Sequence, residues 1–117
     1  KHPWLGIAGI SIDPDLASIL QLPVSSGFLI ETVVPSSPAD IGGLHGYAQN
    51  KTIDGTKYQI GGDIIIGIDG APIKQIEDIL NYLQENKTVG DKITLQIIRD
   101  GKKMDVSLTL QERPAQT

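Results

Sequence analysis

The chain has 117 residues, no cysteine, and fourteen acidic against ten basic side chains, for a net charge of −4. That length is one domain, large enough to fold around a core without covalent staples. The missing cysteines exclude a disulfide framework, a thiolate zinc site and a cysteine nucleophile, and the acidic balance argues against nucleic acid, where affinity rests on phosphate neutralisation.

The elements can be taken in chain order. No apolar run reaches the roughly 18 residues that would begin to span a bilayer. No signal peptide is legible, and a chain opening on Lys1 reads as a fragment of a longer protein. Lys1-His2-Pro3 is a short lead-in, with Pro3 keeping His2 extended. Trp4-Leu5-Gly6-Ile7-Ala8-Gly9-Ile10 reads in two ways. It is either a buried first strand, or a tight glycine-bearing loop running into an open strand. In the second reading successive amides face one concavity and trap an anion. Residues 5–12 alternate loosely and bend near Gly9. Asp13-Pro14 starts a helix over 14–21, with Asp13 as N-cap and Leu16, Ile19 and Leu20 at helical spacing.

Phe28 to Val34 is rich in strand formers, and Pro35-Ser36-Ser37-Pro38 breaks it. Ser37 caps a helix of one to two turns that stops at Gly42-Gly43. Residues 45–62 are polar and glycine-studded. Residues 45–60 read as a surface insertion, with Asp54-Gly55 as the turn of a small hairpin. Asp63 to Asp69 is nearly all isoleucine, a strand buried on both faces. Asp69-Gly70 turns the chain into a short return strand at Pro72-Ile73. Ile76, Ile79, Leu80 and Leu83 mark an amphipathic helix over about 75–86. Residues 92–99 and 102–110 alternate around an Asp100-Gly101 hairpin turn, and 112–117 read as a frayed tail.

Independent catalysis finds little support. Gly9-Ile10-Ser11-Ile12-Asp13 lacks the last glycine of a nucleophile elbow. His2 sits at a ragged terminus and His45 opens a flexible loop, so neither is preorganised as a base. The acidic pairs Asp13/Asp15, Asp63/Asp69 and Glu77/Asp78 read as caps, turns and solvated helix starts, with no calcium-loop spacing. No cofactor and no metal site is expected. The helix at 75–86 is more informative. Its apolar face is wide, and beside an open strand one flank of it lines a groove. Ile76, Leu80 and Leu83 sit on that flank, whereas Ile79 reads as core.

Taken together, these segments resemble a PDZ domain of the type attached to HtrA (Do-like) serine proteases. The resemblance is carried by Trp4-Leu5-Gly6-Ile7, Ser37-Pro38-Ala39 with Gly43-Leu44, Gly62-Asp63-Ile64-Ile65 and Ile68-Asp69-Gly70-Ala71-Pro72-Ile73. Val89-Gly90-Asp91 and Arg99-Asp100-Gly101-Lys102 complete it, and the insertion at 45–60 departs from it. It implies an α+β fold of bacterial-type (permuted) topology: a PDZ-like, partly open β-barrel of five to six strands capped by two helices. It also implies capture of C-terminal or extended segments of unfolded proteins by β-augmentation. Carried over, Trp4, Leu5, Gly6 and Ile7 form the carboxylate loop, and the backbones of Ile7, Ala8 and Gly9 pair with the peptide. Ile7, Ile76, Leu80, Leu83 and, less centrally, Ile79 line the pocket for its last residue. Many eukaryotic members place His where Ile76 stands, so apolar residues rather than Ser or Thr are expected in the ligand. The resemblance further implies an extracytoplasmic setting, a protease domain in the same chain and a homo-oligomeric parent. The competing expectations are a structural, oligomer-forming PDZ-like module whose groove is filled by its own chain, and the PDZ domain of another membrane-associated peptidase.

Overall fold

Alternating isoleucines and tight Asp-Gly turns account for most of the sheet. The computed structural model describes residues 2–113. The chain runs β1 (Pro3–Trp4), β2 (Ile7–Ile12), α1 (Pro14–Leu20), β3 (Gly27–Val33), α2 (Pro38–Ile41), β4 (Gln49–Ile53) and β5 (Thr56–Ile60). It continues through β6 (Ile64–Ile68), β7 (Ala71–Pro72), α3 (Ile76–Asn86), β8 (Lys92–Arg99), β9 (Lys102–Thr109) and β10 (Gln111–Glu112). The main sheet is antiparallel in the order β2-β3-β6-β8-β9, with β7 folded back on β6. The architecture is the expected α+β mixture, with three helices beside the sheet where the resemblance implied two caps.

The sheet has a core on each face because its central strands are apolar in both directions. From β3 and β6, Phe28, Ile30, Ile65 and Ile68 join Ile79 and Leu83 of α3 and Ala39 of α2 in the larger core. Their alternate neighbours Leu29 and Ile64 join Ile12, Ile98 and Ala17 of α1 in the smaller one. Helix α1 is fixed at its start by Asp13, whose carboxylate accepts the Leu16 amide at 2.7 Å. Ser37 does the same for α2, accepting the Asp40 amide at 3.2 Å.

The insertion forms its own two-stranded ribbon, β4 paired with β5 around Asp54 and Gly55. Both turn residues have positive φ, 49° and 80°, as this hairpin class requires. The root of the ribbon is held on β3. There the register with β2 passes from Ala8 opposite Thr32 to Gly9 opposite Ile30, leaving Glu31 over. The carbonyl of that extra residue accepts the Tyr47 amide at 2.9 Å.

Two differences from the sequence reading concern the ends. Residues 5–12 do not form one strand: β1 stops at Trp4 and β2 starts at Ile7. Residues 112 and 113, expected in a frayed tail, are paired. Glu112 pairs with Pro3 and Gln111 with Trp4, and the Arg113 amide donates to the His2 carbonyl at 3.3 Å. Polar composition suggested fraying, but backbone pairing depends on no apolar side chain. Lys1 and residues 114–117 lie outside the described part.

Two polar anchors fix the frame. Asp63, only 1% exposed, takes both ends of the Arg99 guanidinium, Nε on Oδ1 at 2.8 Å and Nη2 on Oδ2 at 2.7 Å. The His45 amide adds a third bond at 2.8 Å. The carboxylate holds Arg99 above its already high ordinary value. Asp69 anchors α3: its carboxylate accepts the Thr94 amide at 2.7 Å and the Tyr82 hydroxyl at 2.7 Å, and Lys87 Nζ lies 3.3 Å away. Burial pushes the Asp69 carboxyl up, but the Thr94 amide, the Tyr82 hydroxyl and Lys87 together hold it below 3.8.

Removing the carboxylate in Asp63→Ala strands a partly buried guanidinium and is expected to lower unfolding stability by about 3 kcal/mol in a urea titration. For Asp69, a lowered folded value means that its stabilisation is complete above the ordinary value of 3.8 and fades as pH falls through the lowered one. Asp69→Asn is therefore expected to be less stable than wild type at neutral pH and to converge with it in acid, checked by urea titrations across an acid pH series.

Candidate functional site

The segment between β1 and β2 is built around a glycine that nothing else can replace. Gly6 has φ +82°, and a Cβ there would collide with the side chain of Ser37, the residue that caps α2. The flanking carbonyls are both used: that of Leu5 accepts the Ala39 amide at 3.0 Å and that of Gly6 the Val34 amide at 2.8 Å. Leu5 itself is core, 4% exposed. The loop is thus pinned to α2 and to the end of β3, and it delivers the chain into β2. That strand ends the sheet order, so among the described residues its outer edge pairs with no other strand. At Gly9 a Cβ would strike the Leu29 carbonyl oxygen, so this glycine permits the close approach of β2 to β3.

Helix α3 supplies the opposite wall. Between the two lies a cavity of about 320 Å³. Trp4, Leu5, Gly6 and Ile7 line it from the loop, and Ile76, Ile79, Leu80 and Leu83 from the helix. Eight of the ten residues singled out in the sequence therefore meet at one cavity. Ala8 and Gly9 do not line it; they lie further along β2. The helix residues divide differently from the expectation. Ile79 and Leu83 are both core, 1% and 3% exposed, and both still form cavity wall. Ile76 is half-buried, and Leu80 stands at 56% exposure on the rim.

Four lining residues escaped the sequence reading: His2, Pro3, Gln84 and Arg113. Gln84 follows from helical spacing, four residues after Leu80. The other three depend on the β1–β10 pairing, which joins opposite ends of the chain and leaves no local signal. They give the cavity its charge character. Among the described residues His2 and Arg113 are its only ionisable lining groups, and no acidic residue lines it, in a chain of net charge −4. Among the described residues no cluster of three or more His, Asp or Glu is placed to hold a metal. His45 is exposed and contributes its backbone amide to Asp63. The Ser11 hydroxyl accepts the Ile76 amide at 3.0 Å.

Comparison with known proteins follows the same lines. Protease Do-like 1, chloroplastic, of Arabidopsis thaliana is 36% identical over 108 residues, covering 92% of this chain and 23% of that protein. Periplasmic serine endoprotease DegP of Escherichia coli strain K12 is 30% identical over 112 residues, covering 96% of this chain and 20% of that protein. The chain thus spans about a fifth of the length of these curated relatives. Among solved structures, the HtrA3 PDZ domain bound to a phage-derived ligand (FGRWV) shares the fold with a TM-score of 0.68 at 22% identity, over 93% of this chain and 85% of that one. The PDZ domain profile matches residues 3–110. All of the groove's lining but His2 and Arg113 lies inside that match, and the chain belongs to the PDZ domain family.

Proposed function

We propose that this domain captures the C-terminal or extended apolar ends of other polypeptides by pairing them along β2. One observation carries the reading: among the described residues a free strand edge runs out of a largely apolar cavity whose ionisable lining groups are all basic. An extended peptide adds to such an edge through its backbone, and a pocket beside it selects a side chain. Leu83, Ile79, Ile76 and Leu80 would receive the last side chain of the ligand. Its carboxylate would face the loop at Gly6, with Arg113 and His2 nearby. The FGRWV ligand of the HtrA3 domain ends in Val, which agrees with a preference here for an apolar terminus, whereas two places before it stands Arg and not the apolar residue expected of this chain's ligand.

The magnitudes describe a modest binder. Burying one large apolar side chain contributes roughly 1.5–3 kcal/mol, and a hydrogen bond to a charged carboxylate a similar amount. Ordering the peptide offsets much of this, which leaves affinity at the micromolar scale. Such binding suits the sampling of many unfolded clients. The domain would act extracytoplasmically as the substrate-recognition or regulatory part of an HtrA-like serine protease. Its protease domain in the same chain and a homo-oligomeric parent complete the proposal. No helix of the described residues is long and apolar enough to cross a membrane.

Fluorescence polarisation with peptides ending in apolar residues, each paired with its amidated twin, tests the reading. Saturable binding that weakens on amidation is expected, and indifference of every pair to amidation would remove the carboxylate loop from the proposal. Arg113→Gln should weaken free-acid peptides roughly two- to fivefold and leave amides alone. Leu80→Asp should reduce binding at least about tenfold, with an unchanged thermal melt because Leu80 is largely exposed.

A further inference from the structure

The open part of the groove is shorter than the free edge of β2. On that strand the cavity is lined by Ile7 alone, although Ala8, Gly9 and Ile10 continue the same edge. The edge meets α3 at Ser11, where the hydroxyl accepts the Ile76 amide at 3.0 Å. Strand alternation puts Ser11 on the same side of β2 as Ile7, the side that packs on the larger core with α3. Ile76 is the first residue of the helix, and its amide is one of the donors that a helix leaves without an internal partner. Gln75, at the N-cap, makes no side-chain bond to any of them. The helix is capped instead from a strand 65 positions away in sequence.

This arrangement bears on what the groove can hold. A strand added to β2 needs a lane of about 4.8 Å beside it. At Ser11 the helix backbone is a single hydroxyl's reach from the strand. The other end of α3 is held separately, by Tyr82 and Lys87 on Asp69. The approach to the helix is tied as well, since the Lys74 carbonyl accepts the Gly27 amide at 3.1 Å and the Lys74 amide donates to Asp78 at 2.8 Å, so what the Ser11 bond adds is the tie between the first helical amide and β2.

Resting on the peptide reading above, the geometry points to Ser11 as a clasp that sets ligand length. The last few residues of a chain end fit between Gly6 and Ile10 with the clasp closed. Pairing further along β2 requires the Ser11–Ile76 bond to break. The domain is then a reader of short tips that discriminates against long continuous pairing, and Ser11 is a specificity-determining position.

The test is a polarisation titration of one apolar chain end cut to every length from tripeptide to decapeptide. Four proteins are compared: wild type, Ser11→Ala, Ser11→Thr, and Ser11→Ala combined with Gln75→Asp. The last restores a local cap to α3 without a bond to β2. For wild type, affinity is expected to rise to about four residues and then level off. In Ser11→Ala, and equally in the recapped double variant, the ratio of decapeptide to tripeptide affinity should rise by roughly five- to tenfold, one hydrogen bond's worth. Ser11→Thr, which keeps the hydroxyl, should retain the wild-type ratio. Hydrogen exchange at the Ile76 amide should stay slow with the tripeptide and quicken with the decapeptide. A wild-type affinity that climbs steadily to the decapeptide, or a ratio identical in all four proteins, overturns the clasp and leaves the peptide reading standing. Failure of every length to bind any of the four removes the peptide reading, and the clasp with it.

Discussion

The buried carboxylate of Asp63 holds the frame on which the groove is built. It accepts two bonds from Arg99 on β8 and one from the amide of His45 at the root of the ribbon. Its own backbone carbonyl accepts the Ile30 amide of β3 at 2.9 Å, and its amide donates to the His45 carbonyl at 3.0 Å. Arg99 extends the network to the Gly43 carbonyl just after α2 at 2.8 Å. One residue thus ties β3, β8, the end of α2 and the ribbon to the start of β6. A buried charge is tolerated only when its neighbours meet it fully, and here every lone-pair direction that matters is used. Pairs of this kind are weak evidence for added stability but a strong constraint on arrangement, because losing either partner leaves the other stranded.

The groove inherits its shape from that frame in two steps. α2 is set against the sheet, and the Leu5 carbonyl bonds to α2 while Ser37 crowds Gly6. The loop between β1 and β2 has no freedom left once those two contacts are made. On the other side α3 seats Ile79 and Leu83 in the same core that β3 and β6 fill. The two walls are therefore parts of one packed unit rather than independent flaps, and preorganisation of this kind lowers the conformational cost of taking up a flexible ligand. The first turn of α3 takes the cap of its Ile76 amide from β2 instead of from its own N-cap residue.

Much of this was legible in the residues alone. Asp13-Pro14 and Ser37-Pro38 announced two helix starts, Asp54-Gly55 and Asp100-Gly101 two hairpins, and the isoleucine run a strand with two buried faces, because each signal is local chemistry. Asp63 read as a turn residue, since a carboxylate beside glycines looks solvated until a guanidinium 36 positions away is brought to it. The core placement of Leu83 was missed for a related reason. Helical spacing gives the width of an apolar face but not how deeply each row sinks into the sheet. Met104 alternates with the buried Val106 and Leu108 and is nonetheless exposed at 39%, on an edge strand. The basic mouth was beyond local reading altogether, because it exists only where the first and last strands pair.

That pairing has a mechanical meaning. His2 and Arg113 are joined backbone to backbone, so the two ends of the described chain meet at a seam only two residues long on each side. Tension drawn between those ends would fall first on the seam, well before it reached the sheet or either core. The seam carries Pro3 and Trp4, and with Arg113 these form one lip of the groove. Load along the chain would thus fall on residues that also line the groove.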